Sequence, residues 1–552
     1  MENNLMSPNQ LWANYDANAV KLKSNFIKYD TSENGVVDFE VYLNCDFEDD
    51  SSALIYCRGK IPKRNAKNAS LIYIDGYTTD LSSHVTDTFL PKGYSIICFD
   101  YKGEREGKKK YTLYPKEYDY ANLARSEKHL KSFVNSPKDS CAYVWSQLCR
   151  HVITFLKTFL GEDEKIYMLS SLEGGNILWQ VAGMDKRVDG IIASDNAGWS
   201  ESRRLFRFDE SPDEFNFSEK KLKWISACSP QAYAKFVTCP VLYISGTNST
   251  FTSVDRVDKT FALTHNKGNN LACLCANLSN TMDVRAKDAM AVWLDSVYYD
   301  TAKPKPPTAA FETNEGKLYA KAEIDNSFEI DRIVMFFAYN EKNSELRHWN
   351  RRVLSLANPT VEIPLRNEDM RIFAYVSVVY KDNQSYSSLP IMFDLENLDM
   401  ERIPLKRSHI VYERKKGLDA WIVDNNNGEY FMPELRNGAF DIMGVTAEKG
   451  NLSTYSISDI IYEHGENSIF QFDCYNDTPR KLYVEMCIEV ALFNYEYYRA
   501  EIDVKGKEWQ KISLSHNDFK TDKRVPLKDW KNVKKLSFIS VNGTLISNII
   551  WV

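Results

Sequence analysis

The sequence predicts an α/β fold with a mostly parallel sheet and helices on both faces, followed by two all-β sandwich domains. Three observations carry that expectation. Through the first three hundred residues, short apolar runs alternate with segments of helical period. A proline-rich stretch, Lys303-Pro304-Lys305-Pro306-Pro307, then interrupts the alternation and cannot continue a helix. Beyond it the segments are short, β-rich and rarely helical. Residues 1–302, 303–400 and 401–552 are therefore expected as three domains, within the two to four that a chain of 552 residues allows.

In chain order, Phe26 to Arg58 reads as antiparallel strands (FIKYD, VVDFEVYLNCDF, ALIYCRG) with turns at Asn34-Gly35 and Asp49-Asp50. The first buried run is Ala69 to Asp75, ending in Asp75-Gly76-Tyr77-Thr78. A second, Gly93 to Asp100, follows after a spacing that suits a parallel crossover. Cys141 to Leu160 carries Val144, Leu148, Val152, Phe155, Leu156 and Phe159 at helical spacing. VDGIIA (188–193), PVLYIS (240–245) and Leu271 to Leu278 are further strands, and Ala286 to Tyr298 is a closing helix. From Phe311 to about Leu395 a small antiparallel sandwich is expected, with a hairpin turn at Lys381-Asp382-Asn383. From about Ser408 onward a strand every dozen residues or so suits a jelly roll or related sandwich.

The stretch KIYMLSSLEGGNILWQ, Lys165 to Gln180, organises the first region. An apolar strand turns sharply at Ser170-Ser171-Leu172-Glu173 and leaves through Gly174-Gly175 into a helix. Strand, tight turn, paired glycine and helix describe a nucleophile elbow, which holds its turn residue out over the end of a parallel sheet. On the G-x-S-x-G-G form of that motif both glycines keep their places. Ser170 stands at the first glycine and Leu172 at the nucleophile.

Composition narrows the function classes. Hydrophobic content of 43% and aromatic content of 13% are ample for packed domains, and a net charge of -7 argues weakly against nucleic acid as the main partner. No apolar stretch is long enough to span a bilayer, so no membrane partner is expected. The start, MENNLMSPNQLWANYD, lacks the pattern of a secretory leader, which makes cytoplasmic residence the default expectation. The 11 cysteines sit largely inside strand-like runs, as with Cys98, Cys273, Cys275 and Cys487, and suit buried thiols better than a disulfide frame. Cys273-x-Cys275 is not zinc spacing, and neither a metal nor a cofactor is expected.

With these stretches in hand, residues from about Leu11 to Tyr298 resemble the α/β-hydrolases, in particular the acetyl xylan esterase-like and cephalosporin deacetylase-like branch. The resemblance rests on LPKGYSIICFDYKGE (90–104), YTLYP (111–115), DKRVDGIIAS (185–194) and SPQAYAKFVTCPVLYISGT (229–247). It implies an α/β-hydrolase-like sheet and a serine, acid, histidine triad in that chain order. The middle block looks like an immunoglobulin-type spacer. The last block resembles galactose-binding-like sandwiches found as carbohydrate-binding modules, through WQKISL (509–514), Asp518-Phe519, LKDW (527–530) and NIIWV (548–552).

Laid on the triad, the chain has Leu172 for the nucleophile, Asn248 nearest the acid position and Asn280 nearest the base. A leucine has no lone pair with which to attack. The expectation is a hydrolase-like protein whose triad positions are degenerate, acting as a carbohydrate-associated binding protein. The alternative is an active carbohydrate or acyl esterase with a shifted set, Ser171 as nucleophile, Asp195 as acid and His265 as base. Against it, Ser171 suits a turn hydroxyl, Asp195 suits a carboxylate capping the turn that follows, and His265 suits a solvated loop. Glu173 reads as a functional carboxylate or as a charge at a helix start. The amides near Tyr77 would furnish half an oxyanion hole in a working relative. In the last domain Trp421, Tyr430, Tyr495, Tyr497 and Tyr498 are candidates for a sugar platform, or else core aromatics. The expected partner is a saccharide or acylated saccharide.

Overall fold

The computed structural model describes residues 5–16, 21–47, 51–76, 78–115, 136–202, 206–208, 217–266, 268–424, 430–491 and 494–552. Tyr77 and the expected turn at Asp49-Asp50 lie outside them.

The first region is built on nine strands: β1 (Ser24–Thr31), β2 (Val36–Asp46), β3 (Ser52–Pro62), β4 (Ala69–Ile74), β5 (Ser95–Phe99), β6 (Lys165–Ser171), β7 (Val188–Ser194), β8 (Val241–Gly246) and β9 (Leu271–Cys275). Their order across the sheet is β1-β2-β3-β5-β4-β6-β7-β8-β9. The first three are antiparallel and the rest run parallel. This is the expected mostly parallel α/β sheet, of α/β-hydrolase type. The chain leaves β4 to one side for β5 and returns to the other side for β6. That reversal leaves a crevice outside the carboxyl ends of β4 and β6, where ligands of open α/β sheets bind.

Strand parity divides the core. In β6, Ile166 and Met168 face one hydrophobic cluster, while Tyr167 and Leu169 face the other. Helix α2 (Cys141–Leu160) and helix α3 (Gly174–Met184) fill the first cluster; α1 (Ser83–Phe89) and α4 (Val284–Tyr298) fill the second. Helix α2 begins where Ser140 Oγ accepts from Tyr143 N at 3.2 Å and ends at Gly161, whose φ of 133° a side chain would resist. All 11 cysteines are free and buried.

Residues 301–307 carry no regular secondary structure. Beyond them β10 (Thr308–Asn314), β11 (Lys317–Glu323) and β14 (Thr360–Ile363) form one small sheet. The remaining strands, β12 (Ile330–Tyr339), β13 (Asn350–Leu354), β15 (Arg371–Tyr380), β16 (Ser385–Ser387) and β17 (Ile391–Asp394), do not close on themselves. Strand β16 pairs antiparallel with β9 through Ser387 and Ala272, and Ser387 Oγ accepts from Leu274 N at 3.1 Å. The edge of the first sheet is thereby continued, giving one sheet of 14 strands across both regions. Sequence periodicity gives no sign of this joint, because it is one residue pair between segments more than a hundred positions apart.

The last region holds a six-stranded and a five-stranded sheet around a third core cluster. The five-stranded one uses β19 (Ile422–Asp424), β22 (Asn451–Thr454), β27 (Val533–Ile539), β24 (Arg480–Ala491) and β25 (Asn494–Val504), in that order. The intervening strands belong to its partner sheet.

Candidate functional site

The elbow is present, and its register is the one the glycines dictate. Residues Ser170 and Ser171 end β6, so the turn begins two residues later than the sequence suggests, at Leu172. Leu172 has φ of 46°, the left-handed conformation that a branched apolar residue adopts only under constraint. Neighbouring backbone supplies that constraint. A Cβ on Gly174 would lie 2.2 Å from the Ile74 carbonyl oxygen, and one on Gly175 would lie 2.5 Å from Asn196 Cβ. Across the crevice, a Cβ on Gly76 would meet the Ser171 carbonyl oxygen at 2.7 Å. Leu172 N donates to the Ser194 carbonyl at 3.0 Å, and the Leu172 carbonyl accepts from Asn196 Nδ2 at 2.7 Å and Gly175 N at 3.1 Å. The side chain held at this tip is a hydrocarbon, 5% exposed.

Ser171 is tied to the loop that follows β4. Its Oγ accepts from Gly76 N at 3.0 Å and donates to Asp75 Oδ1 at 3.3 Å. Asp75 Oδ2 in turn accepts from Thr78 N at 2.9 Å and from the Thr78 hydroxyl. Glu173 pairs with Lys102 at 3.1 Å, and that lysine also donates to the Gly76 carbonyl. Glu173 thus serves as a half-buried charge partner at the start of α3, and it makes no side-chain cap there.

The shifted set does not assemble. Asp195, at φ 55°, is buried beyond the end of β7 and accepts from Ser245 Oγ at 2.9 Å, Ser194 Oγ at 3.0 Å and Gly246 N at 3.3 Å. Burial pushes its carboxyl up to about 6 despite those donors. His265 is exposed, and its backbone N bonds the Val237 carbonyl, just before the amino end of β8. Asp195 lies at the carboxyl end of the sheet and His265 at the opposite end, because loops that precede a parallel strand lie at its amino edge. The other histidines near this region are packed. His84 in α1 and His151 in α2 are both held below the usual imidazole range by burial, and His151 Nδ1 bonds the Gln147 carbonyl. Among the described residues no histidine bonds to Ser171 or Asp195.

Asn248 and Asn280, the residues expected nearest the acid and base positions, lie on adjoining loops. Asn248 is buried and its Nδ2 donates to the Arg347 carbonyl at 2.8 Å and the Glu345 carbonyl at 3.1 Å. Asn280 Oδ1 accepts from Ser249 Oγ at 3.0 Å, and its Nδ2 donates to Thr250 Oγ1 at 2.9 Å. The partner of Asn248 is the loop between β12 and β13, which covers this corner. Arg347 meets Asp255 in a bidentate pair at 2.8 and 2.9 Å, with both side chains almost fully buried. Asn277 and Trp349 exchange two bonds, at 2.7 and 3.0 Å. Sequence reasoning did not reach this docking; the one hint was a large cationic and aromatic residue, Arg347 and Trp349, in a polar hairpin loop.

The platform candidates separate. Trp421, 4% exposed, and Tyr498, 7% exposed, belong to the sandwich core, which corrects their reading as platform residues. Tyr498 sits on the inward parity of β25 with Ala500, Ile502 and Val504, whereas Tyr495, Tyr497 and Arg499 take the outward parity. Tyr430 is half-buried against the second core cluster. Tyr495 is half-buried, and its hydroxyl accepts from Asn343 Nδ2 at 2.8 Å. Tyr497 is 54% exposed.

No protein-family model and no curated protein matches the chain. Solved structures do resemble its first half. The acetyl xylan esterase from Paenibacillus sp. R4 is 12% identical over 53% of this chain and 96% of its own, with a TM-score of 0.40. Acetyl xylan esterase 1 from Thermoanaerobacterium sp. JW/SL YS485 is 12% identical over 54% and 95%, at 0.35. A Pyrococcus furiosus esterase is 16% identical over 47% and 89%, at 0.29. The fold assignment rests on the strand order and the elbow.

Proposed function

We propose that this protein is a non-catalytic member of the hydrolase-like folds that works as a carbohydrate-associated binding protein. The observation that carries the reading is Leu172 at φ 46° on the tip of the elbow. Catalysis there needs a nucleophile with a lone pair and a base within hydrogen-bond reach. The tip offers a hydrocarbon, and Asn248 and Asn280 offer amides that cannot carry a proton away. A carbohydrate ligand is favoured by the outward aromatic face of the last sandwich.

Turnover of a chromogenic acetyl ester and of acetylated xylo-oligosaccharide by the purified chain tests the catalytic half. The expected rate equals the blank, with and without Ser171→Ala. Turnover above the blank overturns the reading, and its disappearance in Ser171→Ala would name the nucleophile.

A further inference from the structure

A cavity of about 660 Å³ lies between the outward face of the five-stranded sheet and the loops that follow β8 and β9. Its size falls in the range of small-molecule sites. One wall is the sandwich, with Tyr495 and Tyr497 from β25. The other is the hydrolase-like region, through Thr250 and Ser279 to Thr281, joined by Glu345 and Leu346 of the loop between β12 and β13. The loop in which a working hydrolase keeps its base therefore faces the sandwich across a shared space.

The chemistry of the walls selects among ligands. Both cations of the sandwich wall already have carboxylates: Arg499 Nε donates to Glu485 Oε2 at 2.6 Å, and Lys535 pairs with Asp424. Lys535 also lies 5.0 Å from the Tyr455 ring centroid. A phosphate or carboxylate ligand would meet Glu485 and Asp424 beside the two cations, so a charged ligand is disfavoured. The same carboxylates keep lone pairs that can accept from hydroxyls, and the Asn280 amide, whose Oδ1 accepts from Ser249 Oγ and Thr250 N, keeps one Nδ2 hydrogen to donate. Tyr497 lines this space and is 54% exposed, while Tyr495, tied to Asn343, is held rigid two residues before it. A flat apolar platform among hydroxyl acceptors matches a neutral ring with many hydroxyl groups.

We propose that this cavity is a saccharide-binding pocket shared by the last sandwich, the hydrolase-like region and the loop between β12 and β13. Tyr497 is its stacking platform, Glu485 and Asp424 accept hydroxyls, and Asn280 contacts the ligand from the opposite wall. The proposal rests on the carbohydrate reading above and assigns its site, away from the elbow.

The test uses the full chain on an array of neutral oligosaccharides cut from xylan, mannan, β-glucan and galactan, followed by calorimetric titration of any binder. Tyr497→Ala is expected to weaken binding about tenfold, Tyr497→Phe to stay within about threefold, and Asn280→Ala to weaken it about threefold or more. Unchanged unfolding midpoints show that the variants are folded, and Tyr497 is exposed enough for that to hold. Binding indifferent to Tyr497→Ala overturns the pocket while the carbohydrate reading stands. Binding sensitive to Tyr497→Ala but indifferent to Asn280→Ala overturns the shared pocket in favour of the sandwich face alone. Retention of no oligosaccharide by the unmodified chain overturns both.

Discussion

At the carboxyl end of β6 a sharp elbow carries a leucine at its tip; at the carboxyl ends of β8 and β9 the side chains are the amides of Asn248 and Asn280, covered by the loop between β12 and β13. The two corners share one edge of one sheet, yet different physics holds them. The elbow is fixed from beneath, by Gly174 against the Ile74 carbonyl and Gly175 against Asn196. Nothing in that packing depends on which side chain stands at 172, so the left-handed turn persists with leucine. The second corner is fixed from above, by Arg347, Trp349 and the carbonyls that Asn248 satisfies. Its residues answer to docking, and an ionised acid there would conflict with it.

That contrast can be broken most directly at Arg347. Arg347→Ala leaves Asp255 buried without its partner and is expected to cost ~3–5 kcal/mol by denaturant unfolding. A double change, Arg347→Met with Asp255→Leu, should recover most of that; a single variant within ~1 kcal/mol of the parent would mean that the loop is not held by this pair.

Asn248→Asp probes the same corner. The carboxylate would face two carbonyl oxygens with nothing to donate, at a cost of ~2–3 kcal/mol near neutral pH. Burial would raise the folded pKa of the new acid above its unfolded value. The folded state would then hold the proton more tightly, so the penalty grows as pH rises past ~4 and shrinks below it. A penalty independent of pH between 3 and 7 would contradict the geometry drawn here.

Asp195→Asn, between the corners, gives the smallest effect and one of opposite sign. The Asp195 carboxyl is raised from 3.8 to about 6, so the folded state binds the proton more tightly than the unfolded. Stability of the parent therefore falls as pH rises from ~4 to ~6 and stays level above. The amide lacks that slope; a rise of about two units caps its gain at pH 8 at ~3 kcal/mol, the hydrogen bonds to the serines that it forgoes reduce the gain, and it fades to nothing below pH 4. Thermal melts at both pH values would show it, and a loss of stability at pH 8 would mean that the donors around Asp195 need its charge.

Much of this was legible beforehand, and for local reasons. The glycine pair placed Leu172 at the tip, because close backbone approach is written into the residues themselves. Helix α2 was legible from Val144 to Phe159, since one amphipathic period covers its whole length. The sandwich aromatics, open between platform and core in the sequence, divide by strand parity: Tyr497 and Tyr498 are adjacent in a strand and cannot share a face. The run Tyr498, Ala500, Ile502, Val504 already marks the inward one. The seat of Asn248 and the joint of β16 with β9 were not legible, since both are tertiary contacts made by residues with no local signature.

The eleven buried thiols give the molecule a set of clocks. Nine lie before residue 302, and Cys474 and Cys487 lie in the last sandwich. Burial pushes the thiols up, to about 12 for Cys487 and Cys228, so almost none is thiolate in the closed protein. Each can react with an external disulfide only after its surroundings open, and the modification rate then reads the opening equilibrium of that part of the chain. Peptide mapping of the modified cysteines would time the parallel sheet and the terminal sandwich separately in one sample.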